Sequence, residues 1–134
     1  IKKAADSLKT GGYIYLDFNL FAKPEKVFGQ KQERIIFEGT DSSGIYGKYI
    51  MHGDTFDMDT QTCKGYKRTE LVTREGQKIF IEKESIKHIP TLKDVRDWLN
   101  DAGFAVEAEY GDYSGSPIGE NTCRAIIYAK LEQP

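Results

Sequence analysis

Only two cysteines, Cys63 and Cys123, occur in the 134 residues. Neither sits in a C-x-x-C pair or at ligand spacing from a histidine, which argues against a metal site. They read as two reduced thiols, with a disulfide between them as the alternative. No apolar run approaches the ~20 residues that span a bilayer, and no secretory leader is visible. The formal net charge is −2, so no strong field favours nucleic acid or anionic membranes. No G-x-G-x-x-G occurs anywhere, and neither does an internal repeat or a low-complexity stretch. What remains is ordinary for a globular cytoplasmic domain: 39% hydrophobic and 30% charged residues. The length suits one domain with a real core.

The first residues also lack something. Ile1, Ala4, Ala5 and Leu8 form an apolar helical face, yet no Ser, Thr, Asp or Asn cap and no initiator Met precedes them. The expectation is a helix cut from a longer chain, stopped near Gly11. Tyr13 to Phe18 follows as a short, nearly continuous apolar run. That pattern suits a strand buried on both faces of a parallel sheet, the second half of a βαβ unit.

From about Glu25 to His88 the texture changes. Arg34–Phe37, Tyr46–His52, the alternation around Phe56 and Met58, Tyr66–Thr73 and Lys78–Glu84 are separated by turn residues. These segments predict an antiparallel meander of three or four strands, the last two joined at Gly76. Pro90-Thr91 then opens a helix in which Thr91 caps and Asp94 nearly completes a capping box. Leu92, Val95, Trp98, Leu99 and Ala102 form its apolar stripe, which places Trp98 in the core, and Gly103 ends it. Phe104, Val106, Ala108 and Tyr110 alternate with Ala105, Glu107 and Glu109 as a half-buried strand. After a polar loop from Gly111 to Asn121, Arg124–Ala129 reads as a final buried strand. The predicted class is α/β, with residues 1–24 and 89–134 forming one core and residues 25–88 an insertion. An open α/β sheet places ligands beyond the carboxyl ends of its strands. Here those points are Asp17-Phe18-Asn19 and Gly111-Asp112-Tyr113.

Three stretches resemble one family in order and spacing. Leu8-Lys9-Thr10-Gly11-Gly12 before an apolar strand ending in Asp resembles the L-K-P-G-G turn and fifth strand of class I S-adenosylmethionine-dependent methyltransferases. Trp98-Leu99-Asn100-Asp101-Ala102-Gly103-Phe104 is similar to that family's last helix with its L-x-x-A-G-F ending. Gly111-Asp112-Tyr113 and Cys123 to Lys130 resemble its closing strands. The meander stands where glycine/sarcosine N-methyltransferases and related small-molecule enzymes carry a β-rich substrate cap.

The resemblance implies the C-terminal half of a Rossmann-like methyltransferase sheet. It implies S-adenosylmethionine as cofactor and a small-molecule acceptor, with an amine- or carboxylate-bearing one favoured. The family's Gly-rich cofactor turn is missing, so the resemblance implies that the cofactor is held mainly by an N-terminal half of the same chain. No cofactor-binding residue is expected among these 134, and the piece alone is expected to be inactive. Asn19 approximates an asparagine that helps hold substrate in the glycine-type enzymes. Asp17 leaves the strand beside it, although both side chains also suit a plain strand-end turn.

Tyr110, Asp112 and Tyr113 are further pocket candidates, Tyr110 also fitting a core alternation. In the meander, Tyr49 could shape a pocket, as could Tyr46, His52 and Tyr66, and all of them are also good strand formers. Arg68 could pair with a substrate carboxylate or simply lie on a solvated face. His52 and His88 lack ligand-like partners in sequence. Lys64 to Lys87 mixes basic residues with Glu70, Glu75, Glu82 and Glu84, which reads as a solvated sheet face. The rival reading is a non-catalytic α+β ligand-binding or interaction domain. An exposed sheet edge and apolar face also lead us to expect self-association.

Overall fold

A computed structural model of the chain describes residues 1–132. It divides into two compact units, Ile1–Ala22 with Pro90–Pro134, and Lys23–Ile89. The first holds helix α1 (Lys2–Ser7), strand β1 (Tyr13–Asn19), helix α3 (Leu92–Asp101) and strands β6 (Phe104–Tyr110) and β7 (Arg124–Leu131). The second holds a short helix, α2 (Pro24–Val27), and strands β2 (Gln32–Thr40), β3 (Tyr46–Asp57), β4 (Thr62–Val72) and β5 (Lys78–His88).

In the first unit the strand order is β1-β7-β6, and both pairings are antiparallel. β1 and β6 therefore run the same way with the reversed β7 between them. β7 is the central strand, and Ala125, Ile126, Ile127, Ala129 and Leu131 on it are all buried. α3 forms because its apolar stripe is capped. The Thr91 hydroxyl accepts from the Asp94 backbone N–H while the Asp94 carboxylate accepts from the Thr91 backbone, a complete capping box. Gly103 turns the chain at φ +83°, a left-handed conformation that suits glycine. Val95 and Leu99 of α3 then pack with Ala5, Phe104, Ile127, Ala129 and Leu131 into the core.

The structure corrects several local expectations. β1 is not buried on both faces. Its residues alternate, with Ile14, Leu16 and Phe18 packed against the core and Tyr13, Tyr15, Asp17 and Asn19 exposed on the other side. Among the described residues it is paired along one edge only, with antiparallel β7, and antiparallel sheets can face water on one side. Trp98 is 40% exposed, whereas its neighbour Leu99 is fully buried. Strand β6 does not alternate regularly. A bulge between Val106 and Ala108 slips the register by one residue. Phe104 and Val106 therefore share the core side, while Ala108 and Tyr110 turn to the opposite face.

In the second unit the order is β2-β3-β4-β5, every pair antiparallel. The two segments expected around His52 and Phe56 are one strand, β3, kinked by an irregularity between Gly53 and Thr55. β4 and β5 are joined through a turn in which Thr73 and Gln77 bond and Gly76 takes φ +82°.

Candidate functional site

Antiparallel partners share a face, so the register of the first sheet sorts its side chains. The side away from the helices carries Tyr13 opposite Lys130, Tyr15 opposite Tyr128, Asp17 opposite Ile126, and Asn19 opposite Arg124. Tyr110, across from Ile126, joins them from β6. Tyr15 and Tyr128 meet edge to face, with ring centroids 5.1 Å apart.

At the end of this face lies a three-residue cluster. The Tyr113 hydroxyl donates to Asp17 Oδ2 at 2.5 Å, and Arg124 Nη1 donates to Asp17 Oδ1 at 2.6 Å. The same nitrogen lies 2.6 Å from the Tyr113 hydroxyl oxygen, and the guanidinium carbon stands 4.9 Å from the ring centroid. The cation thus both neutralises the carboxylate and stacks on the phenol face. The Tyr113 hydroxyl first, and the Arg124 guanidinium after it, hold the Asp17 carboxyl below the usual carboxylate range. The hydrogen bond to Asp17 in turn pushes the Tyr113 phenol up. Asp17 is therefore an ionised anchor with both oxygens engaged, and it orients a tyrosine and an arginine.

The loop that delivers Tyr113 is built locally. The Asp112 carboxylate accepts from the backbone N–H of Ser114 and Ser116, at 2.8 and 3.1 Å. Hydrogen bonds from Ser116 first, and from Ser114, hold it below the usual carboxylate range. Gly111 suits the close approach of the loop: a Cβ there would stand 2.8 Å from Thr122 Cγ2 and 3.0 Å from the Pro117 carbonyl oxygen, so a larger residue would force one of them to shift.

Of the residues singled out in the sequence, Asp17 and Tyr113 meet directly. Asn19 and Tyr110 share their face. Asp112 is occupied in shaping the loop. Arg124 is a full partner that the sequence pattern does not single out. Its only signal there is a charge at the head of the most apolar strand.

Tyr49 and Arg68 lie in the second unit and on opposite faces of its sheet, since Tyr49 aligns with Thr69 and Arg68 with Ile50. Arg68 is engaged within that sheet. Its Nη2 lies 3.2 Å from Glu33, and its Nε lies 3.0 Å from Glu70 but off the line of a hydrogen bond. His52 stacks on Tyr66 with centroids 4.5 Å apart.

No protein-family model matches the sequence, and no curated protein matches it. Solved structures do. An S-adenosylmethionine-dependent methyltransferase from Clostridium acetobutylicum ATCC 824 aligns over 98% of this chain and 49% of its own, with TM-score 0.70 and 19% identity. CalS10, an amino pentose methyltransferase from Micromonospora echinaspora solved with S-adenosylmethionine bound, aligns over 97% of this chain and 48% of its own, with TM-score 0.64 and 11% identity. DesVI from Streptomyces venezuelae gives TM-score 0.64 over 94% of this chain and 48% of its own, at 11% identity. The chain spans about half the length of each. With β7 set between β1 and β6 and α3 packed behind them, it has the fold of the C-terminal part of a class I S-adenosylmethionine-dependent methyltransferase.

Proposed function

We propose that the chain is the acceptor-side part of a methyltransferase that moves a methyl group from S-adenosylmethionine to a small molecule. On this reading the unit formed by residues 1–22 and 90–134 completes the catalytic core, and Lys23–Ile89 is the substrate cap. The observation that carries the reading is the Asp17–Tyr113–Arg124 cluster at the carboxyl end of β1, in a fold shared with enzymes of that activity. Methyl transfer is an in-line displacement, so the protein's main tasks are alignment and exclusion of water. A fixed phenol, a stacked guanidinium and the neighbouring Asn19 suit the orientation of a polar acceptor. Asp17 holds these groups in place, and with both oxygens engaged it is not poised to take a proton itself.

The chain's own residues do not fit the cofactor's main cradle. Its glycines of positive φ (Gly11, Gly29, Gly44, Gly76, Gly103 and Gly115) stand singly. No glycine-rich turn among the described residues lets backbone approach a nucleotide closely. We therefore assign no cofactor contact to residues 1–132, and the reading assigns that task to sequence outside this chain.

The test is calorimetric titration of S-adenosylmethionine into the 134-residue chain and into the whole natural gene product, followed by methyl transfer to a panel of small amines and carboxylates. Binding and turnover by the whole product, with no binding by the shorter chain, is the expected result. Low-micromolar binding by the shorter chain would overturn the division of labour. A whole product that ignores the cofactor would leave the binding-domain reading in its place.

A further inference from the structure

The first unit has two arginines, and each is tied to a carboxylate by a different edge of its guanidinium. Arg96 on α3 grips Glu109 with Nε and Nη2, at 2.8 and 2.5 Å. That is the edge whose parallel donors match the two oxygens of a carboxylate. Arg124 meets Asp17 end-on. Its Nη1 alone serves both Asp17 Oδ1 and the Tyr113 hydroxyl, each at 2.6 Å, which uses both Nη1 hydrogens. Nε and Nη2 carry the remaining N–H groups, and none of these has a hydrogen bond among the described residues. The edge that Arg96 fills with Glu109 is open on Arg124.

The open edge is also held in place. Asp17 and the Tyr113 hydroxyl fix Nη1, and the Tyr113 ring centroid stands 4.9 Å from the guanidinium carbon. A fork fixed in advance loses less freedom when it binds. The Arg124 side chain keeps 37% of its surface, so the edge is accessible. Asn19 stands directly across from Arg124 in the ladder. The Leu20 N–H donates to the Cys123 carbonyl at 2.9 Å and closes the ladder beyond them. Directly opposed side chains on one face are near neighbours. The Asn19 amide has no hydrogen bond of its own among the described residues, and it adds two N–H donors beside the fork.

The charge balance selects the guest. Asp17 already offsets the positive charge of Arg124. Asp112, engaged in its own loop, sits beside Tyr113 in the chain. A neutral pair next to a second carboxylate resists a dianion such as phosphate. One planar fork and one amide suit a single carboxylate. In the second unit Arg68 offers no such opening, since it lies between Glu33 and Glu70.

We propose that Nε and Nη2 of Arg124, with the Asn19 amide, form a subsite for a carboxylate carried by the methyl acceptor. The inference rests on the methyltransferase reading and narrows its acceptor to a carboxylic acid. The gripped carboxylate is an anchor, and the methyl group goes to another atom of the same molecule. Asp17 is a positioning residue that acts through Arg124.

The test is NMR of the arginine Nε–H groups in the whole natural gene product, with benzoate as the probe and benzamide as its neutral counterpart. The Arg124 signal is assigned by its absence from Arg124→Lys, and circular dichroism checks the folding of each variant. Benzoate is expected to shift that signal with a dissociation constant on the order of 1 mM, and benzamide to bind at least about tenfold more weakly. Asn19→Asp sets a like charge across from the fork and is expected to weaken benzoate about tenfold or more. No shift by ~20 mM benzoate, an equal response to benzamide, unchanged benzoate binding by Asn19→Asp, or tighter binding of inorganic phosphate than of benzoate would each overturn the proposal. S-adenosylmethionine binding is measured on the same product by calorimetry. Cofactor binding without a benzoate response defeats the subsite and leaves the methyltransferase reading standing. A benzoate response without cofactor binding defeats that reading, and the subsite's role in holding an acceptor falls with it.

Discussion

Leu99 and Trp98 are neighbours on α3, and their truncation separates a closed core from an open groove. Leu99 is fully buried in the cluster of Ala5, Val95, Phe104, Ile127, Ala129 and Leu131. Leu99→Ala removes three carbons at ~0.8 kcal/mol each, and a cavity term adds to this. The expected cost is about 3–5 kcal/mol, against the roughly 5–15 kcal/mol that holds a typical domain together. Trp98 keeps 40% of its surface in water and borders a groove with Ile1, Lys2, Ala5, Asp101 and Gly103. Trp98→Ala gives up more area on paper, but water enters the space and no closed cavity forms. A cost of about 2 kcal/mol or less is expected once the compactness of the unfolded chain is allowed for. Urea denaturation followed by far-UV circular dichroism measures both, with constant slope as the check that the unfolded state is unchanged. If Trp98→Ala proves the more damaging, α3 faces the sheet differently and the core described above is wrong.

The Asp17 cluster makes a signed pH prediction. The Asp17 carboxyl lies below its ordinary range, through the Tyr113 hydroxyl first and then Arg124, so the folded state binds its proton less readily than the unfolded one. Its contribution is fully present above the ordinary carboxylate range and is lost as pH falls through the depressed folded value. Tyr113→Phe is expected to raise the Asp17 titration toward its ordinary position, read by carboxyl NMR, and an unchanged titration would remove the tyrosine from the cluster. Thr91→Ala deletes the side-chain half of the α3 capping box and is expected to cost about 1 kcal/mol. A serine there should recover most of the loss in the same thermal melt, and failure to recover it would place the effect outside the cap.

α3 was legible because its signals are local. An apolar stripe, a Thr91–Asp94 cap and a terminal Gly103 all act within a few turns, and each is found in the structure. β7 was legible for a similar reason, since an unbroken apolar run suits a central strand flanked on both edges, although Tyr128 stays exposed on its outer face. The face each residue takes depended on partners far along the chain. One extra residue at the β6 bulge carries Tyr110 from the expected core side to the tyrosine face. β1 alternates because the core packs on one face alone, which takes Ile14, Leu16 and Phe18 and leaves Tyr13 and Tyr15 exposed. Arg124 meets Asp17 across a separation of 107 residues. Periodicity reports which segments become helix or strand, because those preferences are set by neighbours three or four residues away. The assembly of the Asp17–Tyr113–Arg124 cluster rests on register between distant strands, and register is fixed by long-range pairing and packing that no short window contains.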